Sequence, residues 1–497
     1  MTEDHYDCVP EASWVPSEKL KFINRYVVER KDTCISCGLC ETLCPHGVHQ
    51  RVEGHVKVLP PFNQRCIGPD CASNDYFCVS HCPTSSLSVR SSETFTALGD
   101  VRWTADMILA TWHMAETGEP LSLDHPGNTG NSGGGFDRLE FKHGPVPENI
   151  DYREFDMAID LNRRGGERRR IAIPVYGGGM SYGSVSLHTM VARAKACQAW
   201  GTYTCTGEGG YPEELIPYKE RVITQIATGL FGVREETIKR APIVEFKYAQ
   251  GAKPGLGGHL LKDKNTPLVA KMREAVPNTS LFSPFPFHSV YSVEDHKKHL
   301  DWVASINPKA LLSVKVSTPN DVEMVAIGSY YAGAHIVHLD GGYGGTGAAP
   351  EIAKKNIAMP IEYAIPKVHR FLTEEGVREK VTLIASGGIR TALDVAKAIA
   401  LGADGVVIGT AELVALGCVR CGNCESGRGC PRGIATTDPV LYLQMDSEWG
   451  AQRIINLYSA WRKQWCHLLA SCGMKSIVEL RGRTDLLRYI GGKEVVT

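Results

Sequence analysis

The sequence lacks an excess of either charge, a long uninterrupted apolar run and an apolar opening segment. Its 54 lysines and arginines are balanced by 55 aspartates and glutamates, which leaves a net charge of −1. Because nucleic-acid-binding and polybasic membrane surfaces need a basic excess, we expect neither nucleic acid nor membrane as a partner. The most apolar stretch, residues 398–417, is interrupted by Asp404 and Glu412, which argues against a membrane span. The acidic, polar first residues do not resemble a secretory signal, so we expect a cytoplasmic protein.

Cysteine and glycine, by contrast, are abundant. The 497 residues include 17 cysteines and 51 glycines. In a reducing cytoplasm, clustered cysteines bind metals more often than they form disulfides. Glycines stand where the backbone turns tightly or approaches a ligand closely. The length is sufficient for two or three domains.

The first cysteine group has the spacing of a bacterial ferredoxin. Residues 34–45 contain C-x2-C-x2-C-x3-C-P, in which the fourth cysteine binds the other of two clusters. A second run, residues 66–83, has wider internal spacings and ends in the same C-x3-C-P. We predict two 4Fe–4S clusters, one bound by Cys34, Cys37, Cys40 and Cys82 and the other by Cys66, Cys71, Cys78 and Cys44. A zinc site or a single cluster is the alternative, and Cys8 lies outside the pattern.

The middle of the chain alternates short β-rich apolar runs with helix-like stretches from about residue 168 onward. This alternation predicts an α/β fold, a (β/α)8 TIM barrel with its functional residues at the carboxyl ends of the strands. The candidate strands are residues 170–177, 202–206, 243–249, 280–284, 310–317, 334–341, 381–388 and 403–410.

The last two candidate strands end in Gly387–Gly388 and in Gly409–Thr410. The loops after strands 7 and 8 of such barrels often bind a phosphate group. We expect FMN as the carrier of that phosphate, because iron–sulfur clusters need a neighbouring group that accepts single electrons. Glycines that only pack a helix on a strand are the alternative.

A G-x-G-x-x-G match at Gly342, Gly344 and Gly347 resembles a dinucleotide-binding fingerprint. That fingerprint requires a helix directly after it. Pro350 and Pro360 interrupt the following stretch, so we expect an active-site loop there and no NAD(P)H site.

Eight motifs, taken in order, resemble the FMN-binding synthase domain of glutamate synthase. They are residues 177–186, 205–214, 225–233, 248–260, 289–296, 313–316, 344–350 and 430–439. The resemblance covers roughly residues 165–440, and the attached ferredoxin module is similar to the archaeal-type arrangement. It implies an oxidoreductase that reduces 2-iminoglutarate, formed from 2-oxoglutarate and ammonia, to L-glutamate with electrons passed through iron–sulfur clusters to FMN.

The resemblance also implies roles for individual residues. Those expected around the flavin and its phosphate are Met180, Ser181, Lys315, Gly387, Gly388, Gly409 and Thr410. Those expected around the substrate are Glu208, Lys253, Arg273 and His259. Lys253 and Arg273 would supply the cations that a dicarboxylate needs, and Glu208 would handle a proton or orient the amine.

The substrate loop departs from the family pattern. The common GEGGQ is GLGGH here, so Leu256 and His259 replace an acid and an amide, and of a usual pair of histidines only His288 remains. These changes leave an N-methylglutamate synthase that uses methylamine as one alternative. An electron-transfer subunit of a larger complex is another, although it would need no keto-acid clamp.

A third cysteine group follows the last candidate strand. By resemblance, Cys418, Cys424 and Cys430 match three ligands of a 3Fe–4S cluster, and Cys421 is additional. Four thiolates suit a 4Fe–4S cluster, and zinc is the alternative. A cluster here would lie close to the flavin and would extend an electron route from the first group.

The sequence also indicates which activities need a partner. An N-terminal-nucleophile glutaminase would need a cysteine where Thr2 stands. We therefore expect free ammonia or a separate glutaminase subunit, and an NAD(P)H-oxidising subunit or a ferredoxin as electron donor.

The predicted organisation has five segments. They are an N-terminal extension (1–29), a ferredoxin-like domain (30–95), a segment with a helix at 104–117 and a Gly-rich linker at 125–138 (96–165), the barrel with the third cluster (166–440) and a helical tail (441–497).

Overall fold

The computed structural model describes residues 9–16, 23–52, 57–121, 135–142, 144–346, 349–425 and 429–490. Cys8, Gly347 and residues 125–134 of the predicted linker lie outside these ranges. The chain divides into two compact units, Ser17–Ile108 and a larger one made of Met1–Pro16 and Leu109–Thr497. Each unit is described by itself.

Strands and α-helices alternate along most of the larger unit, and the elements of both units are given together in chain order. The strands are β1 (Tyr26–Arg30), β2 (Leu87–Ser91), β3 (Leu139–Phe141), β4 (Ile159–Asp160), β5 (Arg170–Ile171), β6 (Val175–Gly177), β7 (Thr204–Cys205), β8 (Val222–Ala227), β9 (Ile243–Lys247), β10 (His259–Leu260), β11 (Leu281–Phe282), β12 (Leu311–Ser317), β13 (Ile336–Asp340), β14 (Thr382–Ser386), β15 (Gly405–Ile408) and β16 (Leu487–Tyr489). The α-helices are α1 (Leu39–Leu43), α2 (Glu93–Thr96), α3 (Ala105–Thr117), α4 (Leu187–Ala199), α5 (Glu235–Lys239), α6 (Pro267–Arg273), α7 (Val293–Ile306), α8 (Val322–Ala332), α9 (Glu351–Asn356), α10 (Ile361–Glu374), α11 (Ala392–Ala400), α12 (Thr410–Ala415) and α13 (Ser447–Ser471).

The smaller unit is built around one antiparallel strand pair. β1 and β2 pair from Tyr26 opposite Ser91 to Arg30 opposite Leu87. Three buried aliphatic residues form a core cluster, and five cysteines and two valines pack against them. The core residues are Val28, Val48 and Leu87, and the packed cysteines are Cys40, Cys44, Cys66, Cys78 and Cys82. Thiols therefore make up most of the partly buried side chains around this cluster.

The larger unit is a closed parallel barrel. Its eight strands follow the order β6, β15, β14, β13, β12, β9, β8, β7. The two ends of this sheet meet, because the Gly177 N–H donates to the Tyr203 carbonyl at 2.8 Å and Gly179 forms a parallel bridge with Cys205. The TIM-barrel prediction is thereby confirmed.

One strand of the barrel was not predicted from the sequence, and one predicted strand lies outside the barrel. Residues 280–284 were expected to be a barrel strand, but β11 pairs antiparallel with β10 outside the barrel. The missing strand is β8, whose six residues are all buried. It was overlooked because Thr224 and Gln225 interrupt its apolar pattern and a 3-10 segment, Glu213–Arg221, precedes it in place of a helix.

The glycine run after β13 lies in a barrel loop. β13 pairs with β12 and β14 inside the barrel, so residues 341–346 leave a barrel strand. Pro350 and Pro360 do not break a helix as expected; each stands directly before one, at the N-caps of α9 and α10. Proline is tolerated there because the first helical residues have no intrahelical acceptor for their N–H groups.

The long C-terminal helix α13 packs against the elements that follow the last two barrel strands. Its Trp465 indole donates to the Ala392 carbonyl at the start of α11 at 2.7 Å. Its Tyr458 hydroxyl donates to Glu412 of α12 at 2.6 Å. Asp446 caps the helix by accepting from the Trp449 N–H. Among the helices in the described ranges, none is long and apolar enough to cross a membrane.

Candidate functional site

Two lysines lie side by side where β9 and β12 end. Lys247 and Lys315 are register partners, so both side chains point to the same face of the sheet. Lys315 Nζ lies 3.3 Å from Asp340 Oδ2 at the end of β13. Burial alone would lower the pKa of Lys315, but the carboxylates of Asp340 and Glu245 outweigh it and raise the pKa above its ordinary value. Lys315 is therefore a fixed cation at neutral pH.

Glu208 lies in the loop after β7 and faces the same end of the barrel. Lys247 Nζ donates to its Oε2 at 2.9 Å. Burial alone would raise the pKa of Glu208. The charges of Lys247, Lys253 and Arg273 outweigh that effect and lower this pKa to about 2. Glu208 is thus ionised at neutral pH, which favours the orienting of a cationic amine over proton donation.

Lys253 follows β9 in a glycine-rich loop and is only 4 % exposed. Burial and the like charge of Lys247 lower its pKa to about 8, although Glu208 raises it. Its amine has no hydrogen-bond or ion-pair partner within the described part of the chain. At pH 7 most molecules therefore carry a buried, unpaired ammonium here, which is a ready binding group for an anion.

Arg273, the last residue of α6, is buried beside Glu208. Its Nη2 donates to the Ser181 hydroxyl at 2.9 Å and to the Tyr182 carbonyl at 3.2 Å. Its Nε is buried without a partner in the described structure. Burial lowers the pKa of Arg273 and Glu208 raises it. A guanidinium with an unused donor suits the fork geometry of a carboxylate.

His259 lies on β10, away from the barrel strands. Its Nε2 is 3.5 Å from Glu425 Oε2, and its ring stacks on Phe282 with centroids 6.2 Å apart. Glu425 directly follows Cys424 in the third cysteine group. The structure thus connects His259 to the cysteine loop, a contact that the sequence pattern did not indicate.

The loops after β6 and β7 touch where flavin-lining residues were predicted. A Cβ on Gly207 would lie 2.5 Å from the Ser181 nitrogen, so only glycine permits this approach. Met180 is half-buried and packs on the adjacent core, and Ser181 is buried and bonded to Arg273. Ser181, predicted to line the flavin, and Arg273, predicted to bind the substrate, are therefore in direct contact.

The glycines after β14 and β15 line a stretch of backbone that is tightly packed at Gly387 and open at Gly409. Gly387 has φ +98°, and a Cβ there would lie 2.6 Å from the Gly341 carbonyl oxygen. A Cβ on Gly409 would meet no atom within 4 Å, so open space lies beside it. Gly388 and Thr410 lie next to these positions at the two strand ends. The backbone here fits a phosphate group, which needs close approach by N–H donors.

The site also contains Lys247, Asp340 and the Glu245–His338 pair, none of which was predicted from the sequence. Glu245 and Lys247 occupy alternate positions on β9, as do His338 and Asp340 on β13. Polar residues at alternate positions of buried strands are a signal that could have identified them.

The eight cysteines of the smaller unit line two separate cavities. Cys44, Cys66, Cys71 and Cys78 line one of them. Cys34, Cys37, Cys40 and Cys82 line the other. Across the described ranges no three His, Cys, Asp or Glu side chains converge closely enough to hold a single metal ion.

The third cysteine group follows α12 in the larger unit. Cys430 is buried and Cys421 is exposed, while Cys418 and Cys424 lie between these extremes. The buried Lys264 donates to the Ala435 carbonyl at 3.2 Å, and so does the Cys430 N–H. Burial lowers the pKa of Lys264, and Cys424 raises it. A cation therefore lies within electrostatic reach of these thiols.

A closed parallel barrel with buried charges at its strand ends is the architecture of an α/β-barrel enzyme, and the family comparison defines it further. The model of the conserved region in glutamate synthase matches residues 143–475. The chain belongs to the glutamate synthase family and is an oxidoreductase.

Similar proteins extend this match over both units. An archaeal-type glutamate synthase (NADPH) of Thermotoga maritima is 36% identical, over 95% of this chain and 96% of the relative. An archaeal glutamate synthase (NADPH) of Methanocaldococcus jannaschii is 42% identical, over 72% of this chain and 69% of the relative. Among solved structures, a mandelate oxidase mutant with an FMN adduct has a TM-score of 0.43 at 16% identity, covering 80% of this chain and 93% of that one.

Proposed function

We propose that this chain is the synthase subunit of an archaeal-type glutamate synthase, which reduces 2-iminoglutarate, formed from 2-oxoglutarate and ammonia, to L-glutamate. The observation that carries the proposal is the pair of buried cations with unused donors, Lys253 and Arg273, beside the ionised Glu208. A dicarboxylate keto-acid requires two cations, and its amine partner requires an anion.

The residues divide the work as follows. Arg273 binds one carboxylate of 2-oxoglutarate and Lys253 the other. Glu208, held by Lys247 at 2.9 Å, orients the ammonium or iminium group through its negative charge. Ser181 fixes the guanidinium of Arg273 by accepting its hydrogen bond. This arrangement binds substrate and excludes water from the buried cations.

FMN is the proposed cofactor, and the backbone at Gly388 and Gly409 and the fixed cation Lys315 fit it. When bound, FMN supplies the hydride that reduces the imine. Gly387, Gly388, Gly409 and Thr410 would hold its phosphate. Met180 and Ser181 would line the ring, and Lys315 would lie where the reduced ring is negatively charged.

Three iron–sulfur clusters are proposed to deliver the electrons. The division of eight cysteines between two cavities, four to each, supports two 4Fe–4S clusters, because thiols that surround a cavity suit a cluster better than one zinc ion. Cys418, Cys421, Cys424 and Cys430 would bind a third cluster, of the 4Fe–4S or 3Fe–4S type. A cytoplasmic location, a separate glutaminase subunit and an NAD(P)H-oxidising or ferredoxin electron donor remain part of the proposal.

Methylamine is the second candidate amine. This candidate is kept because His259 stands where the family has a glutamine. In the structure, the His259 side chain contacts Glu425. A pure electron-transfer role is disfavoured, since a relay has no need of the unpaired cations Lys253 and Arg273.

The test is anaerobic turnover with chemically reduced viologen, 2-oxoglutarate and either ammonium or methylamine. Glutamate from ammonium is expected. If only N-methylglutamate forms, methylamine becomes the favoured amine. If a protein with all its cofactors bound forms neither product, the proposed synthase activity is rejected.

Arg273→Lys keeps the charge and removes the carboxylate fork, so we expect the KM for 2-oxoglutarate to rise roughly tenfold to a hundredfold. The matched control is Arg234→Lys at a half-exposed arginine paired with Glu274. An equal effect of both substitutions on KM would contradict the assignment of Arg273.

A further inference from the structure

The interior of this barrel contains a polar layer where branched aliphatic side chains usually pack. Seven inward-facing residues of five adjacent strands, β8, β9, β12, β13 and β14, form it. They are Gln225, Glu245, Ser313, Lys315, His338, Asp340 and Ser386, and all are at least nine-tenths buried. Buried polar groups at this density cost stability unless each is paired, so their arrangement calls for a functional reason.

Glu245 is the acceptor at one end of the layer. Gln225 Nε2 donates to its Oε1 at 2.7 Å, and the Ser313 hydroxyl donates to its Oε2 at 3.1 Å. His338 Nδ1 lies 2.9 Å from the same Oε2. Burial alone would raise the pKa of Glu245, but His338 foremost lowers it to about 2. Since an ionised carboxylate only accepts, Nδ1 of His338 must carry a proton.

The other ring nitrogen is constrained in the same way. His338 Nε2 lies 2.8 Å from the Ser386 hydroxyl oxygen. The single proton of that hydroxyl is donated to Asp340 Oδ1 at 2.6 Å, and the Leu339 carbonyl, 3.5 Å away, is only another acceptor. Asp340 is ionised, because Lys315 outweighs the effect of burial and holds the pKa of its carboxyl below the usual value. Nε2 must therefore also donate.

We propose that His338 is an imidazolium in the folded protein, and that the alternating chain Glu245, His338, Asp340, Lys315 positions Lys315 as a cation at the mouth of the barrel. The functional consequence rests on the proposed FMN site.

Charge balance supports this assignment. His338 is the register partner of Lys315, which is itself the partner of Lys247. Three adjacent cations would repel one another, but the Asp340 carboxylate is within electrostatic reach of both Lys315 and His338, and Glu245 accepts from His338. Tyr176 and Cys205 also lie near Glu245, and both are uncharged, because burial raises their pKa values.

Asp340 links this series of paired charges to the loop that carries Lys253. Its Oδ2 accepts from the Gly251 N–H at 3.0 Å, two residues before Lys253. The same carboxylate therefore orients both Lys315 and the loop that carries Lys253. His338 and Asp340 act as positioning residues for these two lysines.

The first experiment measures the midpoint potential of the bound flavin in the full chain. His338→Gln removes a positive charge and should lower this potential, because the anionic reduced ring loses a stabilising cation. Asp340→Asn removes a negative charge and should raise it. The double variant should return close to the wild-type value. His335→Gln is the matched control, because His335 Nδ1 accepts the Leu312 N–H at 3.0 Å and burial lowers its pKa to about 4, so no charge is lost.

The second experiment needs no folded variant. In wild-type protein labelled with 15N-histidine, one buried ring should carry protons on both nitrogens, as its contacts with Glu245 and Ser386 require. Absence of such a ring, or a potential unchanged in His338→Gln while FMN is bound, would overturn the proposal. A protein that binds no FMN would reject the proposed function and leave the NMR test intact.

Discussion

At the scale of single residues, the site owes its chemistry to burial that forces charges into pairs. The cations at the barrel mouth and inner layer are Lys247, Lys253, Arg273 and Lys315, and the carboxylates are Glu208, Glu245 and Asp340. Charges removed from water require partners, and the pairs Lys247–Glu208 and Lys315–Asp340 provide them. Lys253 and part of Arg273 are left over, which suits a substrate that brings its own negative charge.

Lys253 predicts a specific pH dependence. Its pKa is lowered to about 8, so the amine is protonated below that pH and neutral above it. We expect the KM for 2-oxoglutarate to rise as the pH passes through 8, because the bound carboxylate loses its cation. Lys253→Arg remains charged and should abolish this dependence. A KM that rises equally in both proteins would exclude Lys253 as the titrating group.

Glu208 predicts a separation of the two substrates. Glu208→Gln removes the anion that is proposed to orient the amine, so the KM for ammonium should rise roughly tenfold to a hundredfold. The KM for 2-oxoglutarate should stay equal or fall, since Lys253 and Arg273 lose a competing carboxylate. Steady-state kinetics with each substrate varied in turn measures both. Parallel increases would indicate general damage to the loop.

At the scale of elements, α13 packs at the end of the barrel where the proposed phosphate site lies. Arg193 of α4 donates to Glu412 of α12 at 2.7 Å and to the Gly178 carbonyl at 2.7 Å, and Tyr458 of α13 donates to Glu412 at 2.6 Å. All three side chains are buried. One carboxylate therefore joins three helices directly after the strand end at Gly409.

Breaking this junction should be costly. Glu412→Gln leaves the Arg193 charge buried without its counter-ion, so we expect a loss of about 3–5 kcal/mol in the free energy of unfolding. Glu274→Gln, at a pair whose side chains are half-exposed, should cost less than about 1 kcal/mol. Denaturant unfolding of the two variants checks the difference. Equal losses would show that Glu412 contributes no more than a surface charge.

At the scale of the whole molecule, each of the two units carries its own cysteine sites. In the smaller unit, cysteines adjacent in sequence separate into different cavities. Cys44 follows Cys40 by four residues, yet the two line different cavities, and Cys82 joins the cavity of Cys34. Each cavity therefore takes one cysteine from the other sequence run, so variants of single cysteines can test the two predicted clusters separately.

Iron content should report the pairing. Cys82→Ala should remove about four irons per chain, and Cys34→Ala combined with it should remove no more, because both belong to one cluster. Cys44→Ala combined with Cys82→Ala should remove about eight. Iron analysis of anaerobically purified protein measures this. A loss of eight from the Cys34 and Cys82 pair would contradict the assignment.

The sequence by itself determined the features that depend on local spacing. The barrel class followed from alternating strand and helix patterns, and seven candidate strands overlap barrel strands. The division of eight cysteines into two sets of four was predicted from their spacing in short loops, and the same two sets line the two cavities. Residue types also placed Lys253 and Glu208 in glycine-rich loops, because such loops let the backbone approach a ligand closely.

Only the tertiary structure decided the features that depend on distant residues meeting. β8 is a strand because its neighbours β7 and β9 supply its hydrogen bonds, although Gln225 weakens its apolar pattern. Glu245 and His338 are 93 positions apart in sequence, and their contact exists because barrel closure directs both inward. Pairing and burial decide whether a charged side chain is only solvated or can bind a ligand. Both are properties of the folded chain and not of the residue type.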